Sequence, residues 1–135
     1  MTHLAVIENR SSLAKKYLTI LRTYSKLTKK QILHDITFRG AIERYLYLAI
    51  QSSIDLAEAY ISFKKYRKPQ NMRDAFQILH EHRKISRPLL DTLLKMTGFR
   101  NIIAHNYDTI DEEILYDVFK HHAKDIRALL KALKA

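Results

Sequence analysis

The sequence predicts an all-α fold: an antiparallel four-helix bundle with an additional short helix. Three observations carry that prediction. Apolar residues recur at three- and four-residue steps over long stretches, the period of an amphipathic helix. Two glycines and two prolines in 135 residues leave few obligatory turns, which disfavours a many-stranded fold. Hydrophobic residues make up 47% and charged residues 28%, a globular balance. At this size folding buries roughly two-thirds of the extended chain's surface, enough for one core. One domain over residues 1–135 is expected.

Residues 4–26 read as an amphipathic helix, with Leu4, Ile7, Leu13, Leu18, Leu21 and Tyr24 on the apolar side. Thr28 and Gln31 form a capping-box pattern that opens a short helix through Leu33. Thr37 is the expected cap of a long helix from about Phe38 to Tyr66, ended by Pro69. Its buried stripe is Ile42, Leu46, Ala49, Ile50, Ile54, Ala57 and Ile61. Asn71 with Asp74 opens a short helix to about His82. Ser86 and Pro88 start another long helix, on which Leu89, Leu90, Leu93, Leu94, Met96, Phe99, Ile102 and Ile103 cover more than half the girth. Such a helix is either central or shared between two subunits. Gly98 lies inside it at a cost of about 1 kcal/mol relative to Ala, and close approach of another helix is the expected reason. Thr109 and Glu112 form a second capping-box pattern for the last helix, whose apolar side runs from Ile114 to Leu133.

Twenty-four Lys and Arg against fourteen Asp and Glu give a net charge of +10. That excess suits a polyanion: nucleic acid, an acidic protein surface or anionic lipid. The absence of Cys removes disulfides and thiolate metal sites. The apolar run Leu4–Ile7 is too short for a signal peptide, and nothing approaches a membrane span, so no membrane association and a cytoplasmic location are expected.

The segment Phe99-Arg-Asn-Ile-Ile-Ala-His-Asn-Tyr107 gathers the chemistry. Arg100 can hold a phosphate, His105 can move a proton near neutral pH, and Tyr107 offers a hydroxyl. On a helix Asn101 and His105 share a face, whereas Arg100 is offset from His105 by roughly 140° and about 7.5 Å of rise. RNA cleavage needs a base for the ribose 2′-hydroxyl, a cation for the phosphorane oxygens and an acid for the leaving oxygen, with no metal and no cofactor. One His per subunit is thin for this, so a second copy at a dimer seam is expected to complete the site. By spacing alone, an Arg and a His at a helix end are ordinary surface polarity.

The pattern Arg-x4-His-x-Tyr, set in Met96-Thr-Gly-Phe-Arg-Asn-Ile-Ile-Ala-His-Asn-Tyr-Asp108, resembles the signature of HepT-type toxins of the HEPN superfamily. The stretches Phe38–Leu46 and Ala49–Ala57 resemble the family's second-helix pattern, and the Pro69 segment with Phe76 and Leu79 its middle portion. The resemblance covers nearly the whole chain. It implies a homodimeric, metal-independent ribonuclease with RNA as substrate, in which Arg100 and His105 are catalytic and Asn101 assists. It also implies an MntA-type minimal nucleotidyltransferase antitoxin as partner, which silences the toxin by attaching AMP to Tyr107.

Arg44 is read as a supporting phosphate contact and Asp55 as a structural or interface partner, with solvated ion pairs the commoner fate of such residues. His80-Glu81-His82 and His121-His122 lack the three- or four-residue spacing of helical metal ligands, so no metal site is expected. Lys64-Lys65-Tyr66-Arg67-Lys68 and Arg83-Lys84 are candidate non-specific phosphate contacts, with Tyr66 as a stacking surface. Two other readings stand beside the nuclease: a non-catalytic helical binding subunit of a nucleotidyltransferase, and a basic helical scaffold for acidic proteins or lipid.

Overall fold

The computed structural model describes residues 2–105 and 110–134. In chain order the helices are α1 (His3–Arg22), α2 (Lys29–His34), α3 (Ile36–Lys64), α4 (Met72–Glu81), α5 (Arg87–His105), α6 (Glu112–Asp117) and α7 (Ala123–Ala132). A π-helical turn, Val118–His122, joins α6 to α7, so the two act as one long final helix. His122 staples that turn, its ring nitrogens 3.2 Å from Asp117 and 3.1 Å from Asp125. No strand occurs among the described residues. None of the helices is long and apolar enough to cross a membrane.

Local chemistry sets the boundaries. The Thr28–Gln31 capping box forms as expected, with both reciprocal bonds present. Helix α3 is capped by Asp35 rather than Thr37: the Asp35 carboxylate accepts from the backbone N–H groups of Thr37 and Phe38. Its end also differs. Lys65 takes the left-handed conformation at φ 58°, with Lys65 N–H bonded to the Ser62 carbonyl and Tyr66 N–H to the Ile61 carbonyl. This is a Schellman closure, and it stops the helix well before Pro69. The capping box expected at Thr109 and Glu112 is replaced. Asp111 accepts from the N–H groups of Glu113 and Ile114, while the Glu112 carboxylate is drawn off to Arg39 at 2.7 Å. Thr109 itself lies outside the described residues.

The bundle alternates in direction. His3 meets Phe63, Tyr17 meets Tyr45 and Tyr24 meets Phe38, so α1 runs antiparallel along α3. The final helix returns along α1, with Arg22 beside Lys120 and Lys124 at one end and Lys15 beside Lys131 at the other. Helix α3 is the centre of the fold. Every residue of its expected stripe, from Ile42 to Ile61, is at most 2% exposed. A Val, Leu or Ile buried to that degree contributes about 1.5–3 kcal/mol, which makes this stripe the main source of stability.

Helix α5 packs one side into the bundle and leaves the other partly open. Leu90, Leu93, Met96 and Phe99 are buried, but Ile102 is 41% exposed and Leu89, Leu94 and Ile103 are only half-buried. Gly98 is not there for close helix approach within the chain. A Cβ built on it would meet only Arg73 Nη1, at 3.9 Å. Replacing Gly98 with Ala therefore removes a helix penalty without a clash. Gly98→Ala is expected to raise stability by about 1 kcal/mol, seen as a thermal midpoint higher by about 3 °C. A lowered midpoint would mean that a second body presses on Gly98 from outside.

Candidate active site

Arg100 sits on α5 and turns toward α3. Its Nε donates to Gln51 Oε1 at 2.7 Å, Nη1 to Asn101 Oδ1 at 2.8 Å and Nη2 to Tyr47 Oη at 3.1 Å. The guanidinium carbon also lies 5.0 Å from the centre of the Tyr47 ring. All three of these acceptors are neutral, and among the described residues no carboxylate bonds the guanidinium. These bonds use three of its five N–H groups. The nearest carboxylate in this chain of bonds is one step removed, where Gln51 Nε2 donates to Asp55 at 2.9 Å.

Arg44 is brought to the same place. It is exposed, and its guanidinium carbon lies 5.6 Å from the centre of the Tyr47 ring. Tyr47 therefore has two cations close to one ring, each attracted by its π electrons. Glu43 forms the ordinary ion pair expected of it, with Arg39 at 3.1 Å. Asp55 accepts from Gln51 and lies close to Glu58, whose carboxyl is raised above its usual range first by burial and then by the Asp55 charge. The polar stripe of α3 thus changes sign along its length.

Tyr47 and Gln51 were not singled out from the sequence. Their signal was available: Arg44, Tyr47, Gln51 and Asp55 follow one another at spacings of three, four and four, which puts them on one helix face.

His105 is the last residue of α5 and is exposed. It shares a face with Asn101, as expected. It does not meet Arg100 within one chain: Arg100 reaches sideways to α3, and His105 faces solvent. Tyr107 lies outside the described residues. The described chain past that segment is anchored back on α3, where Arg39 reaches Glu112 and, at 3.5 Å, the Ile110 carbonyl.

The remaining candidates resolve differently. Arg67 forks onto Asp74 and Glu81 and holds both carboxyls below their usual range, so its charge is spent inside the fold. Tyr66 stacks flat on His82, ring centres 3.5 Å apart, which covers one of the faces expected to receive a base. His80 bonds the Ile85 carbonyl. Among the described residues no three His, Cys, Asp or Glu side chains converge to hold a metal ion.

An alternating helical bundle with a neutrally anchored guanidinium and a helix-end histidine on one helix is the arrangement of a class, that of the HEPN-type proteins. The chain belongs to the family described as Ribonuclease HepT-like, which matches residues 14–133. It is 31% identical over 105 residues to the mRNA nuclease HepT of Shewanella oneidensis, covering 78% of this chain and 79% of that protein. It is 28% identical over 106 residues to the tRNA nuclease HepT of Aphanizomenon flos-aquae, covering 78% of this chain and 72% of that protein. Among solved structures, it superposes with a TM-score of 0.87 and 26% identity on a chain from the complex of tri-AMPylated Shewanella oneidensis HEPN toxin with MNT antitoxin, covering 95% of this chain and 96% of that one. A chain from a toxin–antitoxin complex with AMP-PNP matches equally well, at 0.87 and 26%, covering 96% and 97%.

RNA cleavage is the readout proper to this family, and it tests the neutral anchoring of Arg100. Gln51→Glu replaces the amide with a carboxylate and converts the anchor into an ion pair. Cleavage is expected to slow about tenfold or more, equivalent to about 1.4 kcal/mol, while the lost bond from Gln51 to Asp55 is read separately in the thermal midpoint. Gln51→Leu should lose less. Unchanged cleavage by Gln51→Glu would show that a ligand does not meet the Arg100 charge.

Proposed function

We propose that this protein is the toxin of a toxin–antitoxin pair, a metal-independent endoribonuclease acting through Arg100 and His105 at a two-fold seam. The observation that carries the reading is the guanidinium of Arg100, fixed by neutral groups and, among the described residues, bonded to no carboxylate. A phosphate is the ligand such a group lacks. In the proposed step the ribose 2′-oxygen forms a bond to phosphorus as a base takes its proton. Arg100, assisted by Asn101 and with Arg44 nearby, stabilises the charge on the phosphorane oxygens. The bond to the 5′-oxygen breaks as an acid protonates it, leaving a 2′,3′-cyclic phosphate and a 5′-hydroxyl. His105 is one of the two proton-transfer groups, and the partner copy supplies the other.

Two features support the dimer. Helix α5 leaves Ile102 uncovered, and α3 carries Arg44 toward one end of its polar stripe and Asp55 and Glu58 toward the other. A two-fold axis across such a face sets unlike charges against each other. Regulation follows the same chemistry. The Tyr107 hydroxyl attacks the α-phosphorus of ATP on a nucleotidyltransferase antitoxin, pyrophosphate leaves, and the attached AMP presents a phosphate that competes with RNA for Arg100.

Cleavage of RNA by the purified protein in EDTA tests the nuclease. His105→Ala is expected to reduce the rate by roughly 10²–10⁴ and Arg100→Ala by about 10²–10³. Equal activity in His105→Ala would remove its assigned role, and loss of all activity in EDTA would overturn metal independence.

The similarity to chains from toxin–antitoxin complexes also suits a second reading, a non-catalytic binding subunit of a nucleotidyltransferase. Both readings share the modification, which intact mass measures after mixing with the partner enzyme and ATP. One or more AMP groups are expected on the unaltered protein and none on Tyr107→Phe. An unshifted mass with an active partner would overturn the assignment of Tyr107.

A further inference from the structure

The other side of the bundle carries a second cationic feature that the motif does not use. A continuous groove runs between α1 and the final helix, its two halves sharing Leu18, Arg22 and Arg127. Lys15 and Arg22 line it from α1, and Lys120, Lys124, Arg127 and Lys131 from the final helix. Those four recur at steps of four, three and four, which puts them in one row about 16 Å long. No Asp or Glu is among the residues that line the groove.

The row is not a solvated face of mixed sign. Burial, and then the neighbouring Arg22, pull the Arg127 guanidinium below its ordinary range. The fold therefore holds like charges together with no carboxylate lining the groove among the described residues, which is what a site for a polyanion requires.

We infer that the α1–α7 groove is a second binding site, separate from the motif, that takes the phosphate backbone of single-stranded RNA without reading its bases. The row matches about five phosphates of a stacked strand. Its floor argues against lipid: Leu18, Leu21, Phe119 and Leu130 are all buried, and the exposed large apolar residues Leu4, Ile36, Ile102 and Ile114 all lie outside the groove. The lining is dominated by flexible cationic side chains, with the exposed ring of His121 at one end. Charge contacts to phosphate and stacking on a ring are both tolerant of base identity, which makes the contact independent of sequence. The choice of RNA as occupant rests on the ribonuclease reading; the groove itself does not.

The test uses a fluorescein-labelled 2′-O-methyl oligouridine, which cannot be cleaved, so binding is read whether or not the protein is a nuclease. Lys124→Glu/Lys131→Glu alters two exposed positions, and far-ultraviolet circular dichroism checks its helicity. Affinity by anisotropy is expected to fall at least tenfold, and the slope of log affinity against log salt to become shallower by about one to two. Lys124→Arg/Lys131→Arg should bind like the unaltered protein. Lys16→Glu/Lys30→Glu, which changes net charge equally at two exposed positions outside the groove, should lose much less. Equal loss in both Glu pairs would reduce the effect to overall charge and overturn the site. So would unchanged affinity in the groove pair, or groove-dependent binding to phosphatidylserine-containing vesicles without binding to the oligouridine. Cleavage in EDTA with no groove-dependent binding would overturn the groove alone.

Discussion

The bonds between α3 and Arg100 are the constraint on which the site depends. A long flexible guanidinium beside a groove would lose side-chain entropy each time it met a ligand. Here Gln51, Asn101 and Tyr47 have already fixed it. Because the three acceptors are an amide, an amide and a phenol, that order is gained, among the described residues, with no counter-ion. A carboxylate in any of these places would hold the arginine more tightly and leave less attraction for phosphate. The same helix supplies the buried stripe that organises the bundle, so the group that binds and the core that supports it are one rigid piece.

Most of the fold was legible because helices announce themselves by period. The stripe from Ile42 to Ile61 could be read residue by residue, and all of it is buried. Boundaries were less legible where two residues compete for one role. Asp35 and Thr37 are both acceptable caps, and only the backbone geometry decides that Asp35 reaches two N–H groups. Glu112 fits a capping box by spacing, but Arg39 lies seventy-three residues away in sequence, and the ion pair that takes Glu112 out of the cap is invisible until the helices pack. The end of α3 was placed too far along because a lysine at φ 58° is uncommon and nothing in its identity signals a left-handed turn.

The site divides along the same line. Arg100, Asn101 and His105 lie within one helix, so sequence spacing and family resemblance were enough to select them. Tyr47 and Gln51 come from another helix, about fifty residues earlier. Each is an ordinary half-buried polar residue until Arg100 is laid against it. Gly98 is hard to read for a related reason: composition can show that a glycine is costly in a helix, but not whether the space beside it is filled. The basic runs were the least legible. Arg67 looks like its neighbours Lys64, Lys65 and Lys68 in sequence, yet it alone is clasped by two carboxylates.

Arg39 has one more consequence. It fastens the beginning of the final helix to the first turn of α3, through Glu112 and the Ile110 carbonyl, while Gln51 and Tyr47 fasten α5 to the same rod farther along. Both flanks of the segment that carries the motif thus share one footing. A partner that tilts α3 would displace the two flanks in concert, as a lever moves everything bolted to it, and a contact remote from Arg100 would reach it through a single stiff element.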